Sequence, residues 1–323
     1  MNDLWDNSIS SNTKAVYASG LNQYRSFLEK MEYKGARDVT PPISEDILIQ
    51  FIAYLHTFLH IQYSTIKIYL CGIRHHYIRY GLNTPLQSNI TNVRIYSFLR
   101  SVKRKHHIHP TKRLPVDIEV LSKMISYLDK GCFGRHDDSL IKSCCTLGFF
   151  GFLRCGEFTI KDSFIEHEHL CLSDVIVSKQ KVVVKLKTSK TDPFREGVNI
   201  HIHATGNDVC PVSALQNYLV CREALSMANE TAALFLTNDG LPLSRSTFIH
   251  KLKFVLGCLG LDDKRFNGHS LRIGAATTCA KLRIEDHLIK TLGRWSSDCY
   301  TRYIRTDQST VQAAQKAMSK IGH

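Results

Sequence analysis

Apolar residues in the first hundred positions recur at spacings of three and four, the period of a helix with one face on a core. Tyr17, Leu21, Tyr24, Leu28 and Met31 form a first stripe, and Leu48, Phe51, Ile52, Leu55 and Leu59 a second. Ile66, Tyr69, Leu70, Ile73 and Tyr77 form a third. Pro41-Pro42 ends the segment before the second stripe, and Ser44 followed by Glu45 and Asp46 reads as an N-cap with acids in the first turn. Ser64 is the candidate cap of the third helix and Gly81 its stop. A fourth helix is predicted after Asn89, through Val93, Tyr96 and Val102. The aromatic members of these stripes read as core rather than as surfaces for stacking bases.

Beyond residue 116 the period changes. Helices are predicted over 117–130 and 138–150. Alternating β-branched segments at 175–177, 181–187 and 198–202, separated by polar turns, predict a small antiparallel sheet. From Pro211 the helical period returns and persists. The pattern as a whole predicts a mainly α chain with a small antiparallel β-sheet. Residues Lys103–Pro115 carry five Lys or Arg, three His and two Pro, which oppose both burial and helix continuation. The expected division is a helical domain over 1–105, a basic linker over 106–116 and a second domain over 117–323.

Charge sharpens this picture. The net formal charge is +13, and no Asp or Glu occurs between Ile47 and Val116. Ten cations lie in that stretch: Lys67, Arg74, Arg79, Arg94, Arg100, Lys103, Arg104, Lys105, Lys112 and Arg113. A one-signed field over a folded surface attracts a polyanion, and counterion release makes double-stranded DNA the expected partner. No apolar run is long enough to span a bilayer. The N-terminal segment lacks the basic and apolar regions of a secretory signal, and the 103–115 run is a candidate import signal, so a nuclear location is expected. The eleven cysteines form no CxxC pair and read mostly as buried small hydrophobes. The histidine clusters at 106–109, 167–169 and 201–203 lack partners at zinc-ligand spacing, so no metal is expected.

No phosphate-binding Gly-rich loop, GxSxG elbow or pair of metal-spaced acids is present. The chemistry sits instead in basic and aromatic residues near element ends. Arg154 follows the apolar run Leu147–Leu153 and must pair with an acid such as Glu157 or reach an anion. His269 and Arg272, three apart, share a face of the first turn of a small-residue helix, where the helix dipole adds positive potential. Trp295 precedes two tyrosines, Tyr300 and Tyr303, also three apart.

The segments FLRCGEF, KTSKTDPFREG, HSLRIGAATTCA and LGRWSSDCYTRYIR, spanning roughly residues 147–305, resemble in order and spacing the tyrosine recombinases of the phage-integrase type. They look closest to those of eukaryotic DIRS-type and Crypton-type mobile elements. The resemblance implies a two-domain tyrosine-recombinase architecture, with a helical core-binding domain and a mixed α/β catalytic domain. It implies a site-specific recombinase or integrase that serves mobile-element excision, integration or transposition. By position, Arg154 and Arg272 resemble the catalytic arginines, His269 the partner of Arg272, and Glu157 a supporting acid. Lys190 is similar to the hairpin lysine that acts as general acid, with Lys187 and Lys185 as runners-up. Trp295 matches the His-or-Trp position, although the spacing of prokaryotic relatives, counted back from Tyr303, lands on Arg294. Tyr303 resembles the nucleophile, with Tyr300 the alternative. The resemblance also implies that the C-terminal segment around Val311, Ala314 and Met318 docks on a neighbouring subunit to build a dimer or tetramer on DNA.

The residues themselves suit that chemistry. Two guanidiniums can hold the nonbridging oxygens of a phosphodiester and stay charged throughout, in place of a metal. A phosphotyrosine conserves the bond energy for resealing, so no ATP, metal or other cofactor is implied. Two other readings stay open on the sequence: a non-catalytic DNA-binding protein derived from a recombinase, and a DNA-relaxing enzyme like a type IB topoisomerase.

Overall fold

The computed structural model describes residues 4–5, 8–86, 93–105, 112–188, 196–225, 231–306 and 308–319. The chain divides into two compact units, Met1–Pro110 and Thr111–His323.

The first unit contains helices α1 (Ser11–Lys30), α2 (Glu45–Thr57), α3 (Tyr63–Arg79) and α4 (Val93–Lys105). Ser10 caps α1 by accepting from the Thr13 amide, and Ser44 caps α2 by accepting from the Ile47 amide. Each thereby satisfies an amide that the helix itself leaves unpaired. The core joins Tyr24, Phe27 and Leu28 to Leu48, Phe51, Ile52 and Leu55, and these to Ile66, Leu70, Ile73 and Tyr77. Tyr24 and Tyr77 donate their hydroxyls to the carbonyls of Pro42 and Pro41, which ties the α1–α2 connection to the core.

Several sequence expectations are corrected in this unit. Met31 is the C-cap of α1 and lies 47% exposed, past the end of its stripe. Leu59 follows the C-cap of α2 and is exposed. Gln62, not Ser64, is the N-cap of α3, without a side-chain bond. On α4 the buried stripe is Ile95, Leu99 and Val102, spaced by four and three, and this turns Val93 and Tyr96 to the surface. Residues 87–92, with the expected start at Asn89, lie outside the described residues.

The second unit begins before Asp117, because the amides of Leu114 and Val116 already bond to the carbonyls of Arg265 and Ser270. Its helices are α5 (Ile118–Leu128), α6 (Arg135–Phe150), the one-turn α7 (Cys155–Phe158), α8 (Pro211–Glu223), α9 (Arg245–Cys258), α10 (Ser270–Lys281), α11 (Asp286–Gly293) and α12 (Gln308–Met318). A short 3-10 helix, Asp298–Arg302, precedes Tyr303. Strands β1 (Val175–Val177), β2 (Lys181–Leu186) and β3 (Val198–His203) form one antiparallel sheet in sequence order. Val184 pairs with Val175 on one side and Ile200 on the other. Alternation buries Val182, Val184, Leu186, Ile200 and Ile202 and leaves Lys181, Lys185, Asn199 and His201 exposed. The helical period expected throughout from Pro211 is interrupted around 233–243, where short bridges join Cys171 to Ala233 and Leu236 to Pro242.

The central element is α10. Every residue from Ser270 to Cys279 is buried, so this helix is enclosed on all sides rather than amphipathic. Gly274 makes that possible, since a β-carbon there would overlap the Val116 carbonyl. All eleven cysteines are free thiols, and six of them are buried.

Candidate functional site

Three segments of the second unit bring cations together. The first is the turn out of α6. Gly151 caps that helix, and Phe152 takes a left-handed conformation, φ 47°. Arg154 then becomes the N-cap of α7, with Glu157 at the third helical position. One oxygen of Glu157 accepts from the Arg154 amide at 2.8 Å, and the other from Arg154 Nη1 at 2.8 Å. The ion pair on which the sequence left Arg154 undecided is therefore made, yet it uses only one guanidinium nitrogen.

The second segment is the first turn of α10. Arg272 has no exposed surface. Its Nη1 donates to the Phe152 carbonyl and its Nη2 to the Gly293 carbonyl. Two carbonyl acceptors fix the plane of a guanidinium without cancelling its charge. Burial pushes the Arg272 pKa down to about 10, and the positive charges of Arg154 and Arg294 add to the shift. It still carries its proton at neutral pH.

The third segment is the end of α11. Gly293 leaves room for the indole of Trp295, whose ring would collide with any β-carbon there. Trp295 lies 4.4 Å from Arg272 Cζ, and Phe152 meets its ring edge-on at 5.8 Å. Arg294, in the left-handed conformation at φ 54°, sends its guanidinium to Glu157 at 2.9 Å and to the Phe152 carbonyl at 3.1 Å. Arg154 and Arg294 both pair with the Glu157 carboxylate, and with Arg272 nearby two positive charges remain uncompensated among these groups.

Tyr303 closes the arrangement. Its ring centroid is 5.1 Å from that of Trp295 and 5.7 Å from Arg272 Cζ. Thr277 Oγ1 donates to the Tyr303 carbonyl and accepts from the Arg305 amide, which fixes the backbone on either side. Among the described residues the Tyr303 hydroxyl has no hydrogen-bond partner. Tyr300 differs. It is buried, and the Asp286 carboxylate beside it, followed by burial, pushes its pKa up. A raised pKa disfavours the phenolate, and this is one difference between the two tyrosines that the sequence left open.

No protein-family model matches the chain. The integrase/recombinase XerD homolog of Selenomonas ruminantium is 23% identical over 309 residues, 91% of this chain and 81% of that protein. The XerH site-specific recombinase, solved on its palindromic difH substrate in a post-cleavage complex, superposes on 96% of this chain and 80% of its own, with TM-score 0.65 at 17% identity. The fold is that of the tyrosine recombinases. The Tn1549 transposon integrase, solved with transposon right-end DNA, shares it over 95% of this chain and 99% of its own, with TM-score 0.53 at 12% identity.

Within the tyrosine-recombinase fold the other expected site residues separate into groups. His269 is the exposed N-cap of α10, one turn before Arg272, and its amide donates to Asn267 Oδ1 at 2.9 Å. Lys190 lies outside the described residues. Lys187, a runner-up for its role, is engaged elsewhere. Its Nζ is 2.7 Å from Asp174 Oδ2, 2.7 Å from the Glu166 carbonyl and 3.2 Å from Cys171 Sγ. Burial lowers the Lys187 pKa, but the bonds to Asp174 and Cys171 outweigh it and raise the value, which does not favour proton donation. Lys185 is exposed on β2.

Of the candidate DNA contacts, Lys67 and Arg74 on α3 and Arg100, Lys103, Arg104 and Lys105 on α4 are exposed. Lys67 and Lys103, from different helices, meet over the ring of Tyr63 at 5.9 and 5.8 Å. Arg79 is half-buried, and Lys112 is exposed. Arg94 departs from expectation because it pairs with Glu45 at 3.2 Å and Asp46 at 2.8 Å, so its charge is already compensated. Those acids lie just outside the acid-free stretch in sequence but beside it in space. Arg113 donates to the Lys264 carbonyl at 2.6 Å. The Phe152 carbonyl went unseen in the sequence, since every residue has one and only the fold turns this one toward two guanidiniums.

Proposed function

We propose that the protein cleaves and rejoins double-stranded DNA as a site-specific tyrosine recombinase, through a 3′-phosphotyrosine on Tyr303. The observation that carries this reading is a buried, charged Arg272 that lies 4.4 Å from the Trp295 ring and 5.7 Å from the Tyr303 ring, while the Tyr303 hydroxyl has no hydrogen-bond partner among the described residues. A buried guanidinium is costly to maintain unless it serves an anion or a pair, and its bonding partners here are carbonyls, which leave its full charge in place.

In the reaction the Tyr303 oxygen attacks the scissile phosphorus as its proton departs, and the bond to the 5′-oxygen breaks as that oxygen gains a proton. Arg154 and Arg272 stabilise the charge that builds on the nonbridging oxygens. His269, beside the α10 N-terminus, is the candidate to manage the phenol proton, and Lys190 the candidate to protonate the leaving oxygen. A 5′-hydroxyl then attacks the phosphotyrosine and restores the diester. The exposed cations of α3 and α4 hold the duplex backbone.

The relatives' descriptions as recombinases and a transposon integrase support a role in mobile-element excision or integration. The affinity to DIRS-type or Crypton-type elements and a nuclear location rest on the sequence motifs and the basic run. Every described side chain of α12 is exposed, Val311 and Met318 included, which suits docking on a second subunit. A nicked suicide duplex carrying the target site tests the central claim. Wild type should form a covalent DNA adduct and Tyr303→Phe none. An adduct in Tyr303→Phe that is lost in Tyr300→Phe would reassign the nucleophile. No adduct from any of the three would favour a DNA-binding protein without strand cleavage.

A further inference from the structure

We infer that Arg294 is a positioning residue for Arg154, acting through the carboxylate they share, and not a ligand of the phosphate. The inference rests on the recombinase reading of the site. Arg294 occupies the left-handed cap of α11, φ 54° and ψ 48°, a place where glycine or asparagine fits without steric cost. A non-glycine residue there bears a steric cost, and in this case its side chain is engaged. That side chain is 14% exposed and points inward. Nη2 reaches Glu157 Oε2 at 2.9 Å and the Phe152 carbonyl at 3.1 Å, and Nη1 reaches Glu157 Oε1 at 3.4 Å.

Arg154 is placed differently. It gives Glu157 only Nη1 and its backbone amide, and among the described residues its Nη2 and Nε have no partner. The two arginines therefore divide the work. Arg294 neutralises Glu157 with both terminal nitrogens, so the carboxylate can orient Arg154 without cancelling the charge that Arg154 offers to DNA. Without Arg294, the whole negative charge of Glu157 would fall on Arg154, drawing it inward and repelling the phosphate. The Phe152 carbonyl, shared by Arg294 and Arg272, extends this bracing to the second phosphate cation.

A double-mutant cycle in single-turnover cleavage of the suicide duplex tests this. Arg294→Ala should slow cleavage about a hundredfold, the usual scale for a displaced catalytic group. In a Glu157→Gln background, where no carboxylate charge remains to be neutralised, the same change should have little further effect. Multiplying effects would overturn the inference, because a direct phosphate ligand loses its contribution in either background. Arg294→Lys should recover part of the rate. Arg294→Gly separates positioning from stability. It relieves the backbone, so its melting temperature should equal or exceed that of Arg294→Ala while cleavage stays equally slow. Cleavage that tracks melting temperature across these variants would mean a structural role only. If wild type forms no adduct, the recombinase reading fails by itself, and thermal unfolding of the same four cycle members still decides the coupling. Additive stability effects of Arg294→Ala and Glu157→Gln would then refute the shared-carboxylate arrangement.

Discussion

Replacing Arg272 by methionine removes a charge while keeping a long side chain of similar reach, and the structure sets the scale of both consequences. The depression of the Arg272 pKa to about 10 corresponds to about 3 kcal/mol working against the charged form in the folded state. The uncharged side chain of Arg272→Met would escape that penalty. Against it stands the Gly293 carbonyl, left without its donor, at about 1–3 kcal/mol. The Phe152 carbonyl keeps Arg294 and loses less. Lost stacking on Trp295 costs about 1 kcal/mol more. The terms nearly cancel, so stability should change by no more than about 2 kcal/mol, a melting shift within about 8 °C for a unit of this size. Cleavage should fall about 10²- to 10³-fold, as for the loss of one preorganised donor to a developing oxyanion. Differential scanning calorimetry and single-turnover adduct formation on one preparation measure the two effects. A variant that keeps cleavage within tenfold of wild type, or that no longer folds, would refute the claim that this buried charge serves the reaction at the expense of stability.

Five further outcomes follow from the geometry. Tyr300→Phe should cleave near the wild-type rate, because the Asp286 carboxylate beside Tyr300 raises its pKa and disfavours the phenolate; an inactive, folded variant would contradict this. Gly274→Ala should lower stability by about 1–3 kcal/mol in chemical denaturation, since its methyl group overlaps the Val116 carbonyl and must displace backbone. Lys103→Ala should weaken DNA binding and reduce the slope of log affinity against log salt by about one. Arg94→Ala should leave that slope unchanged, because Glu45 and Asp46 already hold its charge. Cleavage should decline as pH rises past about 10, where Arg272 loses its proton. Its folded pKa lies below the unfolded one, so in that range the unfolded chain binds more protons and this group's contribution to stability grows with pH. Activity loss with circular dichroism unchanged is the expected signature.

Much of this site was legible before any coordinates. Arg154, Arg272 and Tyr303 stood out as basic and aromatic residues near element ends, and the resemblance to tyrosine recombinases supplied their expected roles. The strands showed because lysines at 181 and 185 bracket a β-branched run, of which Val182 and Val184 face the core. The helix caps at Ser10 and Ser44 differ in this respect: the acids after Ser44 announced it, and nothing marked Ser10. What stayed hidden depended on directions that a linear pattern does not carry. On α4 the stripe through Val93 and Tyr96 and the one through Ile95 and Leu99 are equally periodic, and only packing against the other helices selects between them. Arg94 looked like a free cation because its acidic partners precede it by nearly fifty residues. Tyr300 and Tyr303 differ in their surroundings, Tyr300 beside the Asp286 carboxylate and Tyr303 beside Arg272, and no spacing rule encodes that.

The enclosure of α10 has a consequence for how the site fails. Arg272 is mounted in a helix shielded on every side, so its amides belong to the part of the unit that opens last. Tyr303 follows a five-residue 3-10 turn, and a single threonine hydroxyl links its backbone to that helix. Heat or mild denaturant should therefore unseat Tyr303 while Arg272 stays in place. On the proposed recombinase reading, a molecule inactivated in this way would still hold a phosphate and would compete with intact copies for DNA.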